Sequence, residues 1–310
     1  MKESFSYDKF IEYIKERKNI FDQPEDRYRI KFIPQLLYKY WSFESPYNNE
    51  NIEKLLNGKI WMPASKTLND PFEFQIITDM LTEEEAMAFR TDILSRNTIL
   101  SLCDSYKNNL MWSHYGNAHT GLCIEFEVNY NNLIFPVTYC KNQIDETNSI
   151  RKWLKIKKDF VKKEIADRTI DELCLLANIN KVMLYKSYDW HYEHEYRIIA
   201  RNFSSGACEK ITSGYWESLN AINIRVNRII LGFNCTIQNK AKIIDIINKF
   251  NEEKILKEMI NTDFKYSIDY VEKKLKNENV LIELYQMERC DKSLILFDEQ
   301  LKKNGRVYIG

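Results

Sequence analysis

Glycine and proline are scarce in this chain, 8 and 6 among 310 residues, which argues against Gly-rich linkers and extended structureless loops. No apolar run approaches the ~20 residues that a bilayer demands, and the opening MKESFSYDKFIEYIKERKN lacks the apolar stretch of a signal peptide. A cytoplasmic location without a membrane partner is expected. Net charge is missing as well: 45 basic residues face 45 acidic ones, so neither a basic nucleic-acid coat nor an acidic tail follows, although a local basic groove stays possible. There is no C-x-x-C pair. The seven cysteines (Cys103, Cys123, Cys140, Cys174, Cys208, Cys235, Cys290) stand singly, and an odd count speaks for reduced, mostly packed thiols. Absent too are G-x-S-x-G, a phosphate-binding glycine loop and G-x-G-x-x-G, so serine hydrolases, P-loop NTPases and Rossmann dehydrogenases lose their main support.

What is present, 44% hydrophobic and 29% charged residues, is the make-up of a globular protein. Phe5, Phe10, Ile11 and Ile14 fall at helical spacings and predict an N-terminal helical appendage over 1–30. Leu36 to Trp41 and Lys59 to Ala64 read as strands. Between them Asn48 to Leu56 is a helix stopped by Asn57-Gly58, because glycine tolerates the left-handed backbone at a helix end. Thr82 and Glu85 form a capping-box pattern for a helix to about Ser95, followed by a strand over Asn97 to Cys103. Gly121 to Val128 alternates as a half-buried strand, with Leu133 to Cys140 expected as its neighbour. Residues 145–185 carry apolar positions at helical spacing and predict a helical insertion. Strand character returns at Tyr196 to Arg201, Ala221 to Leu231, Leu281 to Met287 and Leu294 to Phe297, and helix at Lys240 to Phe250. The expected fold is α+β, a mixed, mainly antiparallel sheet core with that insertion and a C-terminal α/β extension. The domains are 1–30, a motif-bearing domain over 31–235, and the extension over 236–310.

Only four histidines occur, and all fall in two windows: His114 and His119 in MWSHYGNAHTG, His191 and His194 in KSYDWHYEHEYRI. Trp41, Trp61, Trp112 and Trp190 lie in or beside these windows or the first two strands, as a pocket for a flat polar ligand would require. Core packing is the plain alternative. If Glu195 opens a strand, period-two alternation sets Glu193, Glu195 and Arg197 on one face. Like charges then push one carboxylate upward while Arg197 holds its neighbour ionised; a salt bridge at a sheet edge would look the same. The histidine spacings do not match a helical metal pair, and no metal is expected. The loop Asn69-Asp70-Pro71-Phe72 is turn chemistry, and after a strand it would also set Asn69 and Asp70 at a sheet end, where ligand contacts are built.

In order along the chain, Leu37-Tyr38-Lys39-Tyr40, Asn69-Asp70-Pro71-Phe72, Trp112-Ser113-His114-Tyr115 with His119 and Gly121, and Lys186 through Trp190 to Glu193, Glu195 and Arg197 resemble an uncharacterised bacterial and phage domain-of-unknown-function family. That likeness spans roughly residues 36–235 and implies no reaction. A weaker resemblance, to ADP-ribosyltransferases including bacterial toxins, does. It implies a basic residue on the first strand (Lys39, beside Tyr40), a middle region (His114, Tyr115) and a late Glu-x-Glu opening a strand (Glu193, Glu195). Under it NAD is a substrate. Glu195 stabilises the oxocarbenium-like state, Glu193 orients or deprotonates the acceptor, and Arg197 keeps the pair ordered. Tyr40, Trp112 or Tyr115 would stack on nicotinamide, while Asn69, with Asp70 beside it, or His114 would bind its amide or ribose. The expected function is an NAD-dependent ADP-ribosyltransferase-like effector of toxin or phage-defence type. Its acceptor is a macromolecule, protein or nucleic acid, and a cognate antitoxin or defence-system partner would accompany it. A nucleic-acid-binding or nucleic-acid-processing protein and a non-catalytic partner-binding protein are the alternatives.

Overall fold

The computed structural model describes residues 4–18, 22–43, 48–68, 70, 73, 80–129, 134–142, 144–201, 213–262, 267–278, 281–289 and 296–300. In chain order the elements are α1 (Tyr7–Lys15), α2 (Pro24–Ile30), β1 (Leu36–Trp41), α3 (Asn48–Leu56), β2 (Lys59–Pro63), α4 (Glu83–Arg96), β3 (Asn97–Cys103), α5 (Asn109–His114) and β4 (Leu122–Val128). Then come β5 (Ile134–Pro136), β6 (Thr138–Cys140), α6 (Thr147–Lys162), α7 (Ile170–Lys181), β7 (Tyr185–Ser187) and a 3-10 turn (Tyr188–Glu193) leading into β8 (Glu195–Arg201). The chain closes with β9 (Gly214–Ser218), β10 (Ile224–Leu231), α8 (Ile237–Asn261), α9 (Ile268–Asn277), β11 (Glu283–Arg289) and β12 (Leu296–Gln300). It is a mixed, largely antiparallel α+β fold, as expected. Among the described residues no helix is long and apolar enough to cross a membrane.

The chain forms two compact units, neither contiguous in sequence. The first comprises Met1–Pro34, Trp61–Leu102 and Tyr130–Glu217, and the second Gln35–Ile60, Cys103–Asn129 and Ser218–Gly310. In the first unit β3, β8 and β5 lie side by side, β2 pairs with β9, and β6 pairs with β7 in parallel. Among the described residues, Ile134–Cys140 does not pair with β4. Ile134–Pro136 instead pairs antiparallel with β8, Phe135 opposite Arg197, and Thr138–Cys140 pairs with β7. Local alternation specifies a strand but not its partner, so this correction concerns a contact more than forty residues away in sequence.

Helices cover the first unit's strands. Tyr7, Phe10, Ile11 and Ile14 of α1 join Trp153 and Phe160 of α6, Cys174 and Ala177 of α7, and Ile199 of β8 in one buried cluster, so the N-terminal helix is part of this core. Each fully buried side chain of this size contributes about 1.5–3 kcal/mol. The indole of Trp153 is buried with its polar atom satisfied: Nε1 donates to Asp92 Oδ2 at 2.8 Å, and its ring meets Phe160 edge-on at 5.3 Å. The capping box forms as read, with Glu85 N–H donating to Thr82 Oγ1 (3.1 Å) and Thr82 N–H to Glu85 Oε2 (3.0 Å).

The second unit is a five-stranded sheet in the order β12-β11-β10-β4-β1. Only β10 and β11 are parallel there, and α8 and α9 form the crossover between them that parallel strands require. Rows across the strands alternate in character: Lys39, Ile124, Ile229 and Leu284 share one row, while Tyr38, Glu125, Arg228 and Glu283 share another. After α3 the backbone reverses at Gly58 with φ of 81°, a conformation costly for other residues. Gly121 answers a different demand, because a Cβ there would fall on the Trp41 carbonyl oxygen at the end of β1. Overpacking against backbone costs ~1–3 kcal/mol. Gly121→Ala should therefore lower the urea midpoint clearly relative to wild type; an unchanged midpoint would show that the β1 and β4 ends are not this close.

Candidate functional site

The local sequence dictates an abrupt turn before β8. Tyr188–Glu193 winds as a 3-10 turn, and His194 takes the left-handed conformation (φ 44°, ψ 52°) that ends it. A non-glycine residue there is strained by roughly 1–2 kcal/mol, which the surroundings must offset. The consequence is that Glu193, in the turn, and Glu195, first in β8, both reach the ammonium of Lys186. Nζ lies 2.6 Å from Glu193 Oε2 and 3.3 Å from Glu195 Oε2. Lys186 itself sits in β7, opposite Tyr139 of β6. The Tyr139 hydroxyl accepts the Glu195 backbone N–H at 2.7 Å, so the short parallel pair also fixes the strand entry.

Arg197, two residues on and fully buried, completes the cluster. Its Nε donates to Glu195 Oε1 (2.7 Å) and Nη2 to Glu195 Oε2 (3.0 Å), a fork-to-fork pair. Nη2 also donates to Glu73 Oε1 and Nη1 to the Met183 carbonyl, each at 2.5 Å. Glu73 lies 3.5 Å from Lys186 as well, and its Oε2 is buried with no hydrogen-bond partner among the described residues. Three carboxylates and two cations thus share one site, leaving one formal negative charge. Glu193 and Glu195 each expose 4% of their surface.

Burial would raise the Glu195 carboxyl, but Arg197 and then Lys186 outweigh it, aided by hydrogen bonds from Arg197 and Ser101, and hold it well below the usual carboxylate range. Burial likewise pulls on Lys186, yet Glu195, Glu193 and Glu73 raise its pKa. Glu195 is consequently a fixed anion at neutral pH and no proton donor.

The sequence brings Glu193, Glu195 and Arg197 together, and the structure adds two residues that it gave no role. Lys186 opens the quoted run to Trp190, and Glu73 directly follows Asn69-Asp70-Pro71-Phe72. An unpaired excess of carboxylates around Arg197 was the available signal. Asp70 is buried, and its carbonyl accepts the Glu73 N–H at 3.1 Å. Asn69 lies outside the described residues.

The other expected residues belong to the second unit. Trp112 is wholly buried, meets Tyr40 edge-on at 4.9 Å and donates from Nε1 to the Tyr106 carbonyl at 2.8 Å. Tyr40 is buried too and donates to the Ser105 carbonyl at 3.0 Å. Both rings are packed in the interior of the second unit, as suits large aromatics that gain most by leaving water. His119 stacks on Trp112 at 6.0 Å, and burial lowers its pKa. His114 is exposed at the end of α5, Tyr115 follows it half-buried, and Lys39 is half-buried in β1. Among the described residues no group of three or more His, Cys, Asp or Glu is placed to hold a metal.

Residues 111–198 match a family model described as protein of unknown function (DUF2971). The DUF2971 stretch holds the Trp112–Gly121 turn and the whole run from Lys186 to Arg197, and it bears out the likeness to an uncharacterised family over that length. Its description names no reaction. No curated protein and no solved structure matches the chain.

Breaking a buried pair by removing one partner costs about 3–5 kcal/mol. Arg197→Leu, which leaves three buried carboxylates to the single cation of Lys186, should unfold at markedly lower urea than wild type. The depressed Glu195 pKa has its own signature: its contribution is present above the unfolded value of about 4.3 and is lost as the pH falls below it. Urea midpoints measured from pH 6 down to pH 3 should fall more steeply for wild type than for Glu195→Gln; parallel curves would remove the charge pairing from the account.

Proposed function

We propose that this chain is an NAD-dependent ADP-ribosyltransferase-like effector that modifies a macromolecule, with the Glu193–Glu195 pair and Lys186 at its centre. The observation that carries the reading is the convergence of both carboxylates of a Glu-x-Glu strand entry on one ammonium, with Glu195 kept ionised by Arg197 and Lys186. Loss of nicotinamide from NAD breaks the bond from ribose C1′ to the ring nitrogen, and the bonding pair leaves with neutral nicotinamide. Positive charge grows on the ribose, which a fixed anion stabilises and a protonated acid does not. Glu195 fits that role. The acceptor nucleophile then bonds to C1′ and passes its proton to Glu193, two residues away and on the same lysine. Glu73 Oε2 offers a ribose hydroxyl an acceptor that has no other partner among the described residues. Lys186, held 4.9 Å over the Trp190 ring, orders the two carboxylates.

The burial of all five charged side chains favours a second reading, in which the cluster only locks the turn onto β8. Purified protein with labelled NAD and cell lysate separates the two. Nicotinamide release with label transfer is expected for wild type, falling ~100-fold or more in Glu195→Gln at an unchanged far-ultraviolet spectrum. Wild-type protein that neither binds NAD nor releases nicotinamide with any lysate ends the transferase reading. Equal turnover in wild type, Glu193→Gln and Glu195→Gln, with only the melting temperature altered, establishes the structural one.

A further inference from the structure

The 3-10 turn that delivers Glu193 also carries an aromatic surface at its outer end. Tyr188 and His191 stack face to face, 4.6 Å apart and 10° from parallel, and Tyr188 is 46% exposed. His191 Nδ1 lies 2.9 Å from the Tyr188 carbonyl oxygen. A carbonyl only accepts, so Nδ1 carries the proton, the imidazole is locked in place, and Nε2 points away from that bond. The parallel register of Cys140 with Ser187 brings the next residue of each strand alongside, and Lys141 Nζ sits 5.5 Å over the Tyr188 ring. Trp190 and Tyr192, 6.1 Å apart and half-buried, continue the aromatic surface along the turn.

Two pre-stacked, flat rings with an ammonium beside them are what an unpaired nucleobase and its phosphate need. The base extends the stack, and the lysine neutralises the backbone. A duplex hides its base faces and has less to gain here. At about 2.0 Å rise per residue, the five steps from Tyr188 to Glu193 cover roughly 10 Å. That is close to the rise of three stacked nucleotides, so a base held at Tyr188 sets the nucleotide three positions along near the carboxylates.

We infer that Tyr188, His191 and Lys141 form a binding site for single-stranded nucleic acid, the class of macromolecule that the carboxylate pair then modifies. The second half rests on the transferase reading; the binding itself does not. Fluorescein-labelled twelve-nucleotide DNA and RNA single strands, and the matching duplexes, are titrated by polarisation with wild type, Tyr188→Ala, His191→Ala and Lys141→Ala. Single strands should bind better than duplexes. Tyr188→Ala should weaken that binding about tenfold, and Lys141→Ala should lower the salt slope by about one. In parallel, labelled NAD is supplied with the same strands. Label should reach the strand with wild type and fail to do so with Tyr188→Ala, whose strand-independent nicotinamide release stays at the wild-type level.

No strand binding by wild type, or equal binding by wild type, Tyr188→Ala and His191→Ala, overturns the site. Label found only on nuclease-resistant, protease-sensitive material makes the acceptor a protein and overturns the second half of the inference while the transferase reading stands. Strand binding that depends on Tyr188 without any nicotinamide release upholds the site and ends the transferase reading alone.

Discussion

The guanidinium of Arg197 is where the first unit's strands, turn and loop meet. A fully buried arginine is tolerated only when its donors find acceptors, and here they find Glu195, Glu73 and the Met183 carbonyl. Those three come from the start of β8, from a loop more than a hundred residues earlier, and from the chain just before β7. One side chain therefore fixes where Glu195 points, where Glu73 lies and how β7 approaches, and the position of Lys186 follows from the last. The strained His194 backbone persists for the same reason: the charges on either side of it are already held.

What the sequence revealed of this arrangement was its local part. Alternation placed Glu195 and Arg197 on one side of a strand, and the structure keeps them there as a direct pair. The Thr82–Glu85 capping box and the helix stop at Gly58 are local rules as well, and both hold. The losses were in long-range pairing. Nothing in residues 133–140 announces that three of them meet β8 and three run parallel to β7, yet that pairing puts Tyr139 beside Lys186 and its hydroxyl on the Glu195 amide. Lys186 and Glu73 stood in view as motif letters, but their partners are set by that topology. Trp112 and Tyr40 are motif aromatics whose rings the structure buries against each other. A motif tryptophan reads as a ligand platform, and its burial is not visible in the sequence.

The ionisation state of the cluster narrows its chemistry. A carboxylate paired with a guanidinium and an ammonium cannot serve as a general acid near neutrality, since its proton would have to displace two cations. What remains for Glu195 is to act as a fixed negative charge, useful wherever positive charge develops on a bound group. Glu193 is tied to Lys186 through one oxygen and lies outside the β8 strand, in the turn. The two carboxylates are therefore unequal despite their near-identical sequence setting, and division of labour between them comes from the arginine that only one of them contacts directly.

The same turn ties the aromatic surface to the carboxylates. The 3-10 turn runs from the exposed Tyr188 to the buried Glu193 without interruption, and β7 on one side and β8 on the other anchor it. A ligand stacked on its outer end is thereby held at a defined distance from the charges at its inner end, with no domain movement needed to bring them together. Net neutrality of the chain is no obstacle to binding a polyanion at such a place. A nucleic acid responds to the few cations within a Debye length, about 8–10 Å in physiological salt, and not to the total over 310 residues. Lys141 over the Tyr188 ring and the stacked rings, which tolerate any base, favour a strand at the turn, while the exposed Asp189 in the same turn and the one formal negative charge left on the buried cluster oppose it. Affinity there should accordingly be modest and indifferent to sequence, and selectivity for a particular strand has to come from the chemistry at the carboxylates instead.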